Sequence, residues 1–229
     1  VDKKIISGCM ENPGLKHYVD FLNHKPDAIL INEFFGDSEN ELTEKLENVA
    51  EKLNKKDNVQ QLINIIDREK QENIWKMRQA GLGLLMNVQG DAKPYAFVED
   101  TAVDPKYLPE FLDKFQKIIA DHGTVAGFYG HASVGCLHIR PMINLKNNNE
   151  LEKMHSIAQQ IASLVLQYGG SLSGEHGDGI SRSEFHESMF GKRMVENFEE
   201  VKNAFDPGNL FNPGKIVNPH KMDDRSIMR

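Results

Sequence analysis

The segment TVAGFYGHASVGCLHIRPMINL, residues 124–145, decides the fold class of this chain. Its two ends, 124–130 and 136–145, are rich in apolar and β-favouring residues and predict two strands. About five residues separate these strands, whereas a crossover between parallel strands needs roughly a dozen or more. The pair is therefore predicted to be an antiparallel hairpin, which favours an α+β fold over a parallel α/β sheet.

The pattern of apolar residues assigns the segments on both sides of the hairpin. Helices are predicted where apolar residues recur at intervals of three and four, at 42–53, 68–86, 105–118 and 149–168. Further strands are predicted from β-favouring runs, at 27–35, 58–67 and 95–103. Together these elements predict an α+β domain with a mainly antiparallel sheet and helices packed on one face.

Composition excludes several classes of protein. Of the 229 residues, 39% are hydrophobic and 27% charged, as in ordinary globular proteins. No apolar run approaches the roughly 18 residues of a membrane-spanning helix, and no signal-peptide pattern is found. The formal net charge of -7 argues against a nucleic-acid partner. Two cysteines, Cys9 and Cys136, cannot form a disulfide framework, so a reducing compartment is expected.

The two ends of the chain suggest a larger protein. The sequence opens at Val1 rather than methionine, which we interpret as a piece of a longer polypeptide. From residue 205 onwards it is rich in Pro, Gly and Asn, and such a segment is expected to be extended and to lie against another surface. We therefore predict one domain over 1–190, followed by a C-terminal helix and extended tail over 191–229.

Two histidines flank the turn of the hairpin. His131 and His138 are seven residues apart and would face opposite sides of one continuous strand. The intervening Ala-Ser-Val-Gly can turn the chain and bring both imidazoles to the mouth of the hairpin. There they would supply half of a divalent-metal site, although such a pair is more often structural.

A glycine-rich segment, GGSLSGEHGDG (169–179), holds a carboxylate and a third imidazole, Glu175 and His176. Glycine permits positive φ and a close approach of backbone to ligand. Glu175 would complete a His-His-carboxylate set with open coordination positions, the pattern of a catalytic metal site. Zinc suits these ligands best, with manganese and iron as alternatives. A flexible loop whose Glu and His face water is an equal alternative on these residues alone.

Three segments in this order, GHASVGCLHIRP (130–141), GGSLSGEHGDG (169–179) and DPGNLFNPGKI (206–216), resemble the C-terminal cap or substrate domain of FAD-linked oxidases. That family includes D-lactate, D-2-hydroxyglutarate and glycolate dehydrogenases of the vanillyl-alcohol-oxidase-like flavoproteins. The resemblance covers nearly the whole chain and implies a ferredoxin-like fold. It also implies that the tail over 191–229 packs toward an N-terminal FAD domain.

The resemblance assigns roles to individual residues. It implies that His131, His138 and Glu175 bind the metal and that His176 is the catalytic base. It further implies that Arg78, in the stretch IWKMRQAG, binds the substrate carboxylate. Asn212 would lie near the flavin, and Lys215 is a weaker candidate for the same place.

This chain departs from the commoner family pattern between the two histidines. Ser-Val-Gly-Cys (133–136) replaces Gly-Asp-Gly-Asn, a variant similar to the subgroup associated with an iron–sulfur module. Cys136 is either a fourth ligand or, by default, a small core residue. Arg140 lies two residues beyond His138 and would share its face of a regular strand, where it could bind a carboxylate. A surface ion pair is the equal alternative for Arg140.

The implied activity is oxidation of a D-2-hydroxy acid to the 2-oxo acid. The metal would lower the pKa of the hydroxyl group, His176 would take its proton, and hydride would pass to the flavin. Lactate, glycolate and 2-hydroxyglutarate share the reacting group, so the residues do not choose among them. Since no dinucleotide-binding motif is present, FAD must be bound mainly by the N-terminal domain, and this chain alone is expected to be inactive.

Two other functions stay open at this stage. One is a metal-dependent hydrolase built on the same histidines and carboxylate, with Asp178 as a nearby second carboxylate. The other is a non-catalytic cap that serves as an interaction or oligomerisation module. A 2-hydroxy acid, the FAD domain and an iron–sulfur electron carrier are the expected partners, with a homo-oligomer as a further option. The expected location is the cytoplasm or the inner face of a membrane.

Overall fold

The computed structural model describes residues 1–228, apart from the side chain of residue 82. The chain forms two compact units, Val1–Asn87 and Val88–Arg229, each with its own hydrophobic core. The boundary predicted at residue 190 does not coincide with this division. It separates the part of the chain that is expected to pack toward an FAD domain, and it stays a prediction. Among the described residues, no helix is both long enough and apolar enough to cross a bilayer.

Three α-helices form the framework of the first unit: α1 (Lys3–Glu11), α2 (Glu39–Leu53) and α3 (Arg68–Met86). Each begins after a side chain that accepts hydrogen bonds from its first free amides, namely Asp2, Ser38 and Asp67. Helices α1 and α3 pack on each other, and Cys9 and Met77 are buried in this core. The helices predicted at 42–53 and 68–86 are confirmed.

Two predicted strands of the first unit, 27–35 and 58–67, are wrong. Within the described residues, the first shows only an isolated bridge between Asp2 and Ala28, and the second shows no strand pairing. Large apolar side chains in both runs are exposed, including Leu30 at 78% and Ile66 at 62%. β-propensity measures how well a side chain suits a half-buried pleated surface. It does not by itself supply the neighbouring strand.

The second unit is built on a small antiparallel sheet. Its strands are β1 (Lys93–Pro94), β2 (Thr101–Ala102), β3 (Ala126–His131) and β4 (Cys136–Ile143). Strands β1, β2 and β3 all pair with β4, β1 at its end and β2 at its start. The predicted hairpin is confirmed as β3 and β4, and the predicted α+β class with it.

The strand predicted at 95–103 is mostly irregular, and only Thr101–Ala102 pairs as β2. The apolar signal of this run comes from burial rather than from pairing, because Phe97 and Val98 are 5% and 3% exposed. Asp100 has a φ of 76°, a left-handed conformation that is rare outside glycine and that interrupts an extended strand. This bend turns the Asp100 carboxylate into the interior of the unit.

Helices α4 (Leu108–Asp121) and α5 (Asn148–Gln167) confirm the predictions at 105–118 and 149–168. They pack on each other, and α5 also packs on β4. The core they share contains fully buried aromatic and branched side chains: Phe111, Phe115, Ile139, Ile143, Ile157 and Ile161. Burial of each such side chain stabilises the fold by roughly 1.5–3 kcal/mol. The sheet that carries the site is therefore packed against a buried hydrophobic core.

Three helices close the second unit: α6 (Gly179–Arg182), α7 (His186–Phe190) and α8 (Lys192–Phe205). Beyond Phe205 the described residues contain no helix or strand. Asp206 orders the start of this tail, because its carboxylate accepts the amides of Leu210 and Phe211 over 2.9 Å each. Lys202, and then these amides, lower the pKa of Asp206 to about 2.

Candidate functional site

The turn between β3 and β4 brings the two predicted histidines together. Strand β3 ends at His131 and is followed by a short 3₁₀ turn. Gly135, with a φ of 68°, ends this turn immediately before β4. The centroids of the His131 and His138 rings are 5.5 Å apart and the ring planes are nearly perpendicular. The sequence prediction that both imidazoles lie at the mouth of the hairpin is therefore confirmed.

Three imidazoles converge on one carboxylate oxygen, Oε1 of Glu175. The Nε2 atoms of His138, His176 and His131 lie 3.1, 3.3 and 3.7 Å from it. His138 is almost fully buried, whereas the side chains of Glu175, His176 and His131 are 41–45% exposed. The cluster therefore has a buried floor and an accessible side from which a small ligand can enter.

The protonation of His138 favours metal binding. Burial lowers the pKa of His138, and the nearby carboxylates of Glu99 and Glu175 oppose this shift without reversing it. The imidazole is therefore neutral near pH 7, which is the form that ligates metal ions.

Asp100 holds the glycine-rich loop in place. Its carboxylate accepts the amide of His176 over 2.8 Å, the amide of Glu175 over 3.1 Å and the hydroxyl of Ser173 over 2.7 Å. Burial alone would raise the pKa of Asp100, but these hydrogen bonds and one from Cys136 lower it to about 2. Asp100 is therefore ionised and supports the backbone that presents Glu175 and His176.

Cys136 behaves as a buried thiol that supports Asp100. Its Sγ donates to Asp100 Oδ1 over 3.3 Å, and its side chain packs near Gly174. Burial, then the hydrogen bond to Asp100, raises the pKa of this thiol to about 12. Donor atoms of Asp100, Cys136, His138 and Glu175 do lie within 4.8 Å of one another. The hydrogen bond that directs Sγ to Asp100, together with the burial of the side chain, favours the core role over the fourth-ligand role.

Arg140, predicted as an anion binder, faces a carboxylate of the protein itself. Its Nε lies 2.5 Å from Oε2 of Glu99, an ion pair whose angles do not satisfy hydrogen-bond geometry. The side chains of Arg140 and Glu99 are 12% and 7% exposed, so this pair is largely shielded from water. The other Glu99 oxygen, Oε1, lies 3.3 Å from Nδ1 of His176.

Sequence analysis missed Glu99, Asp100 and Arg182. Arg182 is 7% exposed and donates to the backbone oxygens of Glu99 and Gly177, which ties the glycine-rich loop to the chain before β2. The adjacent acidic pair Glu99-Asp100 could have indicated a buried polar site. Two carboxylates inside the apolar run YAFVEDTAV are poorly explained as ordinary surface residues.

The other predicted site residues lie outside this cluster or in the other unit. Asn212 has a φ of 47° and, with Lys215, lines an open cleft of about 620 Å³ beside α8. Arg78 belongs to the first unit, where its guanidinium lies 6.0 Å from the centre of the Trp75 ring on α3. Their predicted roles toward flavin and substrate stay predictions.

Comparison with known proteins shows the family of this chain. The model of the family described as FAD linked oxidases, C-terminal domain, matches residues 3–216. D-2-hydroxyglutarate dehydrogenase of Pseudomonas putida is 33% identical over 213 residues, which cover 90% of this chain and 21% of that protein. The Escherichia coli protein of that name is 38% identical over 136 residues, covering 59% of this chain and 13% of its own length.

A D-lactate dehydrogenase from Anaerostipes hadrus is 28% identical over 181 residues, covering 79% of this chain and 37% of that protein. The chain thus spans about a fifth or less of the two D-2-hydroxyglutarate dehydrogenases. The family match covers nearly all of it, including both histidines, Glu175 and His176. This chain belongs to the family of FAD-linked oxidase C-terminal domains.

Proposed function

We propose that this chain is the substrate- and metal-binding part of an FAD-dependent dehydrogenase that oxidises a D-2-hydroxy acid to the 2-oxo acid. The observation that carries the proposal is the convergence of three imidazole nitrogens on Glu175 Oε1 within 3.7 Å. The relatives named D-2-hydroxyglutarate and D-lactate dehydrogenase support this substrate class. D-Lactate, glycolate and D-2-hydroxyglutarate are the candidates to test.

The donor atoms suit a divalent cation held by His131, His138 and Glu175. In a tetrahedral site with bonds of about 2.0–2.1 Å, neighbouring donor atoms lie about 3.3 Å apart. The distances from Glu175 Oε1 to the two histidine Nε2 atoms, 3.1 and 3.7 Å, bracket this value. Two nitrogens and one oxygen favour zinc, with manganese and iron as alternatives.

A cation bound there would act as a Lewis acid that lowers the pKa of the substrate hydroxyl group. His176 is placed to take that proton, since its Nε2 faces the same Glu175 oxygen over 3.3 Å. Its ring stacks on His138, with centroids 5.1 Å apart and planes tilted by 17°. The base is thereby held beside the ligands without being needed as one of them.

Two arginines are proposed to bind the substrate carboxylate, Arg78 as the principal residue and Arg140 as the second. Arg140 is on the strand that carries His138 and two positions beyond it, so both point to one face of the sheet. Its ion pair with Glu99 occupies Nε. Guanidinium offers further N–H donors, and bidentate pairing with a carboxylate gives orientation as well as affinity.

The C-terminal segment is proposed to pack against the FAD domain, with Asn212 near the flavin. Large apolar side chains of α8 and the tail are exposed: Val201 at 59%, Phe205 at 87%, Leu210 at 78% and Phe211 at 71%. Apolar patches of this kind commonly mark interaction surfaces. The FAD domain would bind most of the cofactor, which accepts the hydride. An iron–sulfur module as electron acceptor and a cytoplasmic location belong to the same proposal.

The alternative of a metal-dependent hydrolase is less well supported. Asp178, its second carboxylate, lies 3.0 Å from Nε2 of the buried His186 and is thereby directed away from the role of a free base. A purely structural cap is also less well supported, because the accessible side of the histidine–carboxylate cluster has no evident structural purpose.

The first test is the metal content of the purified chain by elemental mass spectrometry. We expect near-stoichiometric metal in the parent and loss in His138→Ala and Glu175→Ala, with His24→Ala unchanged. His24 is an exposed histidine of the first unit that contacts Gln60. Retention of metal in both ligand variants would contradict the proposed site, as would absence of metal from a folded, reconstituted parent.

Substrate class is tested separately, in an enzyme that joins this chain to an FAD domain. Flavin reduction is followed after mixing with D-lactate, glycolate or D-2-hydroxyglutarate. We expect reduction by at least one of these acids and its loss in His176→Ala. Absence of reduction by all three, in a flavin-loaded enzyme with metal present, would contradict the proposed substrate class.

A further inference from the structure

We propose that Glu99 is a positioning residue that sets the tautomer of His176, holding the proton on Nδ1 so that Nε2 is left as the acceptor. This inference rests on the proposed function, in which His176 is the base. It adds a residue to which neither the sequence motifs nor the family resemblance assigned a role.

Glu99 is a buried carboxylate shared between two cationic or protonatable side chains. It is 5% exposed, and its oxygens lie 3.3 Å from His176 Nδ1 and 2.5 Å from Arg140 Nε. The His176 contact is longer than an ordinary N–H···O hydrogen bond, as is common at catalytic sites before substrate binds. Arg140 compensates the buried charge of this carboxylate, and a carboxylate can only accept hydrogen bonds.

His176 is held at two points by adjacent residues of one segment. Its backbone amide donates to Asp100 over 2.8 Å, and its ring faces Glu99 over 3.3 Å. That segment is fixed in turn, because Arg182 donates to the backbone oxygen of Glu99 over 3.0 Å. The main chain and the ring of His176 are thus oriented by the same short stretch before β2.

A buried carboxylate that faces Nδ1 over 3.3 Å favours the proton of the imidazole on that nitrogen. Since Glu99 can only accept, the Nδ1–H form is favoured and Nε2 keeps its lone pair. Glu175 competes for a proton on Nε2, over the same distance of 3.3 Å. Glu99 should win, because its side chain is 7% exposed against 45% for Glu175, and electrostatic interactions are stronger away from water.

The tautomer of His176 determines which ring nitrogen can accept a proton in the proposed reaction. A lone pair on Nε2 points to the side of Glu175, where the substrate hydroxyl group would lie, and is ready to accept its proton. The opposite tautomer would present an N–H donor to that hydroxyl group and could not act as a base until the proton moved.

The experiment is long-range ¹H–¹⁵N correlation NMR of the histidine rings in the 229-residue chain, stripped of metal and held at a pH where His176 is neutral. We expect the His176 pattern of the Nδ1–H tautomer in the parent, and a shift toward Nε2–H in Glu99→Gln, whose amide can donate to Nδ1. Glu184→Gln is the matched control: it replaces the carboxylate that faces a different histidine, His155, over 2.7 Å and should leave the His176 tautomer unchanged.

Two outcomes would overturn the inference: Nε2–H as the main form in the parent, or an identical tautomer in the parent and Glu99→Gln. If Glu99→Gln fails to fold, Nε2–H as the main form in the parent spectrum would still overturn the inference. Since the measurement uses no metal, flavin or substrate, it is independent of the proposed function. A chain that shows the expected tautomer but binds no metal would contradict the proposed function and leave the positioning role of Glu99 standing.

Discussion

Asp100 accepts a hydrogen bond from the backbone amide of His176 over 2.8 Å, across 76 residues of sequence. This contact joins the start of β2 to the glycine-rich loop and does so with a residue in a strained conformation, at a φ of 76°. Strained residues persist where the surroundings hold them, and they are found disproportionately at functional sites. The position of the proposed base is therefore set by a long-range contact rather than by the loop itself.

Replacement of Asp100 by Asn should destabilise the second unit by about 2.5 kcal/mol. The estimate follows from the lowering of the pKa from 3.8 to about 2, at about 1.4 kcal/mol per unit. The side-chain amide of asparagine would also place an N–H donor against the backbone N–H groups that the Asp100 carboxylate accepts. Denaturant unfolding at pH 7 measures the change. Asp121→Asn is the control, because Asp121 forms an exposed pair with Lys117 that should contribute little.

The same carboxylate predicts how stability depends on pH. Because the pKa of Asp100 is lower in the folded state, the ionised form favours folding. Its contribution should be fully present above the unfolded value near 3.8 and lost as the pH falls through about 2. Unfolding curves of the parent and Asp100→Asn should therefore converge below about pH 2–3. A constant difference between the two proteins across this range would contradict the assignment.

Zinc should raise the melting temperature of the chain through the proposed site. A ligand at a hundred times its dissociation constant stabilises the folded state by about 2.7 kcal/mol, which corresponds to a rise on the order of 5–10 °C. Glu175→Ala should abolish the rise and His24→Ala should retain it. Thermal unfolding followed by circular dichroism, with and without metal, measures both. An equal rise in Glu175→Ala would place the binding elsewhere.

Both cysteines should be unreactive in the folded chain. Cys9 and Cys136 are 0% and 3% exposed, and burial raises the pKa of each thiol. With a pKa of about 12 for Cys136, only about one thiol in ten thousand is ionised at pH 8. A colorimetric thiol reagent should therefore detect almost no reaction until denaturant is added, and then two equivalents. Rapid reaction of Cys136 in the folded chain would show that its thiolate is accessible.

Local patterns were sufficient for four of the helices and for the hairpin. Periods of three and four residues identified α2 to α5, and the short link between β3 and β4 forced an antiparallel pairing. The glycine-rich context of Glu175 likewise pointed to the cluster. Each of these inferences depends on residues close together in the sequence.

Long-range partners could not be predicted in the same way. The runs at 27–35 and 58–67 have β-favouring sequences, but a strand also needs a neighbour, which no local pattern specifies. Asp100 was missed because three of its donors, Ser173, Glu175 and His176, lie more than 70 residues away. Its positive φ also hid the bend inside what looked like a continuous strand.

Gly135 should be the least replaceable residue of the hairpin, and Gly123 provides a matched comparison. Both glycines adopt a left-handed conformation, with φ of 68° and 64°. A Cβ at Gly123 would meet nothing within 4 Å, so Gly123→Ala should cost only about 1 kcal/mol from backbone strain. A Cβ at Gly135 would lie 1.7 Å from the backbone oxygen of Val103, which cannot move without disturbing the segment beside β2.

Gly135→Ala should therefore cost on the order of 3–5 kcal/mol, because the steric clash adds to the same backbone strain. It should also weaken zinc binding, since Gly135 sets the turn that brings His131 to His138. Denaturant unfolding of both alanine variants measures the first effect, and zinc titration of the folded proteins measures the second. Equal stability of the two variants would show that the backbone at Val103 moves at little cost. The close contact between Gly135 and Val103 would then not be what fixes the turn.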